Sequence, residues 1–203
     1  MRLLIVRNLS LVLLVALLTG CASFSRGLPG VTNPPSREAE AKLVEASGAL
    51  DSVNEQSAAF YSQLAQVASE VKEFCGRPSW PEFEQILLEF PSLRDPDNDI
   101  EITSEIESRF SDWARRWKSS WEETFTAYHD LVDKCIILEA RRLAVRERLL
   151  AVQAKYIAAV MLEISAGREK QAQEIYTVVD VLDKSGAELN SYQVDDLGFF
   201  RLR

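Results

Sequence analysis

Apolar residues recur in steps of three and four from Leu43 to Phe74. Leu43, Ala46, Leu50, Val53, Phe60, Leu64, Val67, Val71 and Phe74 hold the pattern, and Ser57 fills the one polar place. A heptad stripe sustained over four repeats predicts an amphipathic helix with one buried seam. Ser36 reads as its N-cap, with Glu38 and Glu40 in the first turn, where the helix dipole favours acids. Gly76 and Pro78 supply the stop. At 1.5 Å per residue, a helix of about 40 residues is roughly 60 Å long.

The pattern changes after Gly76. Pro78, Pro81, Pro91 and Pro96 punctuate the connection up to residue 102, and Asp95 to Asp99 reads as an acidic turn. Between these prolines, Pro81 to Phe90 has helical spacing and predicts a short helix with proline in its first turn. Ser104 and Glu107 then form a capping-box pattern. Neither proline nor glycine recurs until Gly167, and a second apolar stripe runs from Ile106 to Val160. One helix of that length would reach about 95 Å. A break is expected, with Ser119 and Ser120 the weakest point by propensity and Gly167 the next. Helical spacing resumes from Arg168 to about Asn190 through Ile175, Val178, Val179, Leu182 and Leu189. The tail ends on Phe199 and Phe200, an adjacent pair expected to dock rather than face water. No alternating pattern of any length appears. The expected fold is all-α: an elongated antiparallel bundle of three or four long helices, with a short helix in the proline-rich connection.

The first 35 residues stand apart. Arg2 and Arg7 precede an apolar run from Leu9 to Leu18, followed by Thr19, Gly20 and Cys21. A basic start, a short apolar stretch and small residues are the pattern of a secretory signal peptide. The run is shorter than the roughly 20 residues a membrane-spanning helix needs. Leu18-Thr19-Gly20-Cys21 resembles the lipobox of bacterial lipoproteins at all four positions. The resemblance covers only the leader. It implies cleavage between Gly20 and Cys21, with a diacylglycerol on the Cys21 sulfur and an acyl chain on the new N-terminus. No other cofactor is expected. Two or three chains suffice for stable anchoring where one does not. Residue 22 is Ala rather than Asp. In that class this favours the outer membrane, facing the periplasm, or the cell membrane where only one membrane exists. Ala22 to Pro35, rich in Gly, Pro, Ser and Thr, reads as a flexible tether. The expected organisation is a signal peptide over 1–20, lipidated cysteine and tether over 21–35, and a helical domain over 36–203.

Charge narrows the partners. The chain carries 23 basic and 31 acidic residues, and loss of Arg2 and Arg7 with the leader leaves a net charge near −10. So acidic a chain has no electrostatic footprint for nucleic acid, and attachment to a membrane is left to the lipid anchor. Arg141, Arg142, Arg146 and Arg148 form the one dense basic patch, with Glu139 and Glu147 among them. It reads mainly as a solvated face with ion pairs along the helix. Beyond Cys21 there remain Cys75 and Cys135. An even pair in an oxidising compartment invites a disulfide, worth about 4 kcal/mol by loop closure over so long a loop.

Candidate chemistry is sparse. His129 is the only histidine, and its neighbour Asp130 projects from a different side of a helix. No phosphate loop, dinucleotide fingerprint or nucleophile elbow is present. Neither a catalytic set nor a metal site is expected. Aromatic residues cluster instead at helical spacing: Phe110, Trp113, Trp117, Trp121, Phe125 and Tyr128. Arg115, Arg116 and Lys118 lie among them. Such a stripe is either bundle core or a recognition surface, because Trp and Arg are enriched at binding hot spots. Trp113, Trp117, Trp121, Arg115 and Arg116 are therefore the candidate binding residues, with Trp117 expected to be the most exposed. The functional expectation is a non-enzymatic, membrane-anchored lipoprotein that acts by contact with another envelope protein, as scaffold, secretion accessory or immunity-type inhibitor. The seam of the first helix also permits a homodimer. The alternative is a glycan- or small-ligand-binding lipoprotein using the aromatic helix face.

Overall fold

The computed structural model describes residues 35–94 and 102–202. The leader, Cys21 and nearly all of the tether lie outside them. The fold is all-α with one small hairpin. Helix α1 spans Arg37–Cys75, α2 Trp80–Glu89, α3 Ser104–Trp117, α4 Trp121–Ser165 and α5 Glu169–Asn190; a 3-10 turn covers Pro91–Arg94. Strands β1 (Tyr192–Val194) and β2 (Phe200–Leu202) close the chain. Among the described residues, no helix is long and apolar enough to cross a membrane. The described residues fall into two compact units. Of the described residues, the first takes those up to 59 and those of 143–189; the second takes the rest.

The first unit packs three helical segments. Ser36 caps α1, its Oγ accepting the Ala39 N–H at 3.4 Å. The start of α1 meets the end of α4, since the Ser36 N–H and hydroxyl both donate to Glu163 Oε1 at 2.7 Å. Further along α1, Glu45 pairs with Lys155 at 2.9 Å, so the two segments run antiparallel. Gly167 ends α4 with a φ of 70°, a left-handed conformation that favours glycine. The chain then turns back into α5. There Gly186 lies beside α4, where a Cβ would make an ordinary contact with Leu149 at 3.5 Å. The core is built from Leu43, Leu50 and Val53 of α1, Leu149, Val152 and Tyr156 of α4, and Ile175, Val179 and Leu182 of α5.

The second unit gathers the aromatic residues. α2 begins at Trp80 with Pro81 in its first turn and buries Trp80, Phe83, Ile86 and Leu87. α3 is capped by Thr103, which accepts the Ile106 N–H at 3.4 Å. The cap thus lies one residue before the expected Ser104, because Thr103 has the extended backbone a cap needs. The expected break at the serines is present. Lys118 turns left-handed at φ 50°, and Ser120 restarts the helix by accepting the Glu123 N–H at 3.2 Å. Within this unit Glu70 of α1 pairs with Lys134 of α4 at 2.6 Å, and Gln63 bonds Arg141.

The hairpin is an addition to the expected all-helical tail. Its three-residue strands pair antiparallel, Tyr192 with Leu202 and Val194 with Phe200. Strands that short carry too few positions for alternation to register in sequence. Asp195 organises the turn, its Oδ1 accepting the Leu197 and Phe199 N–H groups at 3.0 and 2.9 Å. Gly198 has φ 79°, and a Cβ there would fall 2.9 Å from a Val132 methyl, so only glycine lets the turn touch α4. Tyr128 donates to the Leu197 carbonyl at 2.8 Å. Phe199 lies 5.7 Å from Tyr128 and 5.8 Å from Trp80, measured between ring centroids. Phe200 packs against Phe60 and stacks on Tyr192. The docked phenylalanine pair is as expected.

Candidate interaction surface

The aromatic stripe divides between core and surface. Trp113 is fully buried, donates its indole N–H to the Ser79 carbonyl at 3.1 Å, and lies 5.2 Å from Phe83. Trp121 stacks on Phe110 at 4.8 Å with nearly parallel rings. Trp117 alone of the three is on the surface, 38% exposed, with its N–H bonded to Glu82 at 2.7 Å. The other oxygen of Glu82 pairs with Arg116 at 2.6 Å. Arg115 is exposed and pairs with Asp112 on its own helix. The five candidate binding residues are thus divided: Trp113 is in the core of the second unit, Trp121 is half-buried against Phe110, and Trp117 and Arg116 meet at the surface on Glu82.

The cysteines correct another expectation. Cys75 and Cys135 are both free, and no bridge joins them. Each faces the hairpin. Cys135 is buried and receives a backbone hydrogen bond from Phe200, while Cys75 is half-buried in the field of Arg201 and Asp195. Burial is the main cause that pushes the Cys75 thiol up to about 11 and raises that of Cys135. Both sulfurs are therefore held as unreactive thiols at neutral pH.

His129 is half-buried on α4, with Nε2 placed 2.8 Å from the Leu93 carbonyl and its ring against Phe125. Among the described residues, no group of three His, Cys, Asp or Glu side chains is placed to hold a metal ion. An open depression of about 250 Å³ in the second unit is lined by residues including Phe74, Arg77, Asp130 and Leu131. Two of its charges, Glu70 and Lys134, are spent on each other. Its volume is below the roughly 300–1,000 Å³ of small-molecule sites.

The unexpected surface is on α4. In the first unit this helix buries Val145, Leu149, Val152, Tyr156, Ala159 and Val160, yet its opposite side is also apolar. Leu143, Leu150, Ile157 and Ile164 repeat every seven residues and are 41–49% exposed; Met161 joins them at 57%. Exposed Ala144, Ala151 and Ala154 lie alongside. A helix apolar on two faces ordinarily has partners on both. From Leu143 to Ile164 the stripe runs for about 32 Å at 1.5 Å per residue. Covering five half-exposed side chains contributes on the order of 1 kcal/mol each. That sum, about 5 kcal/mol, only reaches the lower end of what association costs. A contact here needs further complementarity. In the sequence this stripe interleaves with the core-facing seam of the same helix, so the two share one apolar pattern.

No family model matches this chain, and neither a curated protein nor a solved structure matches it.

Proposed function

We propose that this chain is a lipid-anchored envelope protein that works by protein–protein contact, with the outer face of α4 as its contact surface. The observation that carries the reading is the run of exposed Leu, Ile and Met at heptad spacing on a helix whose other face is already buried. Contiguous exposed apolar surface on a soluble domain marks an interaction site. The address rests on the lipobox resemblance at Leu18 to Cys21 and on Ala22. The reading that follows from it is an outer-membrane protein facing the periplasm, or a cell-membrane protein where only one membrane exists. Cys21 carries the lipid, and the stretch up to Pro35 spaces the domain from the headgroups. The aromatic face gives less support to glycan binding, since Trp113 and Trp121 pack against neighbouring rings.

Fractionation and crosslinking test both parts. Cys21→Ala should move the protein from membrane to soluble fractions. A photo-crosslinker at Ile157 in intact cells should give a discrete adduct that Leu150→Asp abolishes. Membrane retention of Cys21→Ala would remove the anchor, and absence of any Ile157 adduct would remove the surface.

A further inference from the structure

Two thiols from different helices face one small hairpin. Cys75 ends α1 and Cys135 lies within α4, and both belong to the second unit. Cys135 is fully buried with the Phe200 N–H donating to its sulfur, and Cys75 lies in the field of Arg201 and Asp195. We propose that the hairpin is a redox latch: closed, it shields both thiols, and a low-molecular-weight disulfide that reaches Cys135 when it lifts forms a mixed disulfide there and holds it open. The proposal is independent of the α4 stripe. On the address proposed above, the chain works in an oxidising compartment, where such disulfides persist.

Paired strands of three residues are too short to persist alone, so the hairpin depends on its docking. Tyr128 holds the Leu197 carbonyl at 2.8 Å, Arg94 holds the Asp196 carbonyl at 2.6 Å, and Phe199 and Phe200 supply the apolar grip. A segment held this way opens at lower cost than the helices beneath it. The closed interface has no room for an added group. A single Cβ at Gly198 already falls 2.9 Å from a Val132 methyl. A disulfide half on Cys135 adds a sulfur and its carbon chain where the Phe200 backbone lies, so adduct and docked hairpin exclude each other.

The chemistry passes through the same gate. Closed, burial holds both thiols protonated. Opened, the Cys135 thiol gives its proton to water, and its thiolate attacks one sulfur of the disulfide. The new bond to Cys135 forms as the old S–S bond breaks, and the other half leaves as a thiolate that takes up a proton. Cys135 is oxidised, the departing half is reduced, and an added thiol reverses the exchange. Lifting also withdraws Phe199 from Trp80 and Phe200 from Phe60, so the oxidised state shows aromatic surface that the reduced state hides.

The test uses the full Cys21→Ala chain, whose only cysteines are Cys75 and Cys135. It is treated with cystamine, a small disulfide, at mildly alkaline pH, and the adducts are located by mass spectrometry. Gly198→Ala and Tyr128→Phe each loosen the latch, the first through Val132 and the second by removing the bond to the Leu197 carbonyl. Each should speed modification of both thiols by about 10-fold, with circular dichroism unchanged. Tyr128→Phe carries this arm by itself if Gly198→Ala fails to fold. With Cys75→Ala added to isolate Cys135, the cystamine adduct should raise amide exchange over residues 192–202 by about 10-fold or more. Exchange at Phe83 and Trp113 should stay as it was, and a thiol reductant should restore the hairpin. Equal rates in the parent and the variants, or no Cys135 adduct in any chain, would show that the hairpin is no gate. An adduct that leaves hairpin exchange unchanged would show that it holds nothing open. Exchange that rises at Phe83 and Trp113 as well would assign the exposure to unfolding of the whole unit. Each of these results overturns the proposal.

Discussion

Glu163 holds the start of α1, and replacing it with alanine has a cost that can be worked from the structure. Its side chain is fully buried at the end of α4. Oε1 accepts both the N–H and the hydroxyl of Ser36 at 2.7 Å. Oε2 lies 3.0 Å from Arg168 Nε, paired in charge but off the direction of a hydrogen bond. Hydrogen bonds to a charged group contribute roughly 1.5–3 kcal/mol each. Ser36 is half-buried and Arg168 is 32% exposed, so water recovers part of what alanine removes. The net loss expected for Glu163→Ala is about 2–4 kcal/mol. For a domain of this size that lowers the Tm by about 5–12 °C. Glu163→Gln keeps an acceptor for Ser36 and removes the burial penalty of a charge, so it should lose about 1 kcal/mol. Thermal melting followed by circular dichroism on the Cys21→Ala chain gives the ranking. Amide exchange at Ser36 and in the first turn of α1 gives the location. An alanine variant within 0.5 kcal/mol of wild type, with Ser36 exchange unchanged, would refute the view that this carboxylate fixes the entry of the chain into the domain.

Three further predictions concern the second unit. Gly198→Ala should destabilise by about 2 kcal/mol in urea melts, because its Cβ would strike Val132 at 2.9 Å in a left-handed turn; adding Val132→Ala should recover the steric part only. Trp113→Ala should lose about 3–5 kcal/mol as a buried ring, whereas Trp117→Ala should lose under about 1 kcal/mol; equal losses would contradict the division of the stripe. Cys75, held up to about 11, should react with a maleimide at pH 8 roughly 100-fold more slowly than an exposed thiol. A thiol raised in the folded state contributes stability that is intact below pH 9 and is lost as pH climbs towards 11. Wild type should therefore weaken more than Cys75→Ala across that window.

Much of the architecture was legible in the sequence for physical reasons that can be named. The α1 seam, the stop at Gly76 and the break at the serines each follow from one strong local signal: heptad spacing, a terminating glycine, and poor helix formers in mid-stripe. The docked Phe199 and Phe200 follow from the cost of exposing two rings. The hairpin was not legible, because it depends on Asp195 folding a turn against α4, a contact between residues far apart in the chain. The disulfide inference failed for a related reason. Cysteine count says nothing of direction, and both thiols face that hairpin. The exposed α4 stripe was hidden by its own helix. In the sequence, Leu149 and Leu150 both belong to an apolar helix, and packing alone separates the residue that is buried from the one that is exposed.

The most direct test of the central claim is the accessibility of the α4 face where the protein works. Leu150→Cys and Ile157→Cys can be alkylated with a membrane-permeant maleimide in intact cells and in the purified chain, with Val44→Cys as an exposed reference in the same unit. The account predicts at least 10-fold slower labelling at positions 150 and 157 in cells than in the purified chain, with no change at 44. Equal rates in both settings at all three positions would contradict it.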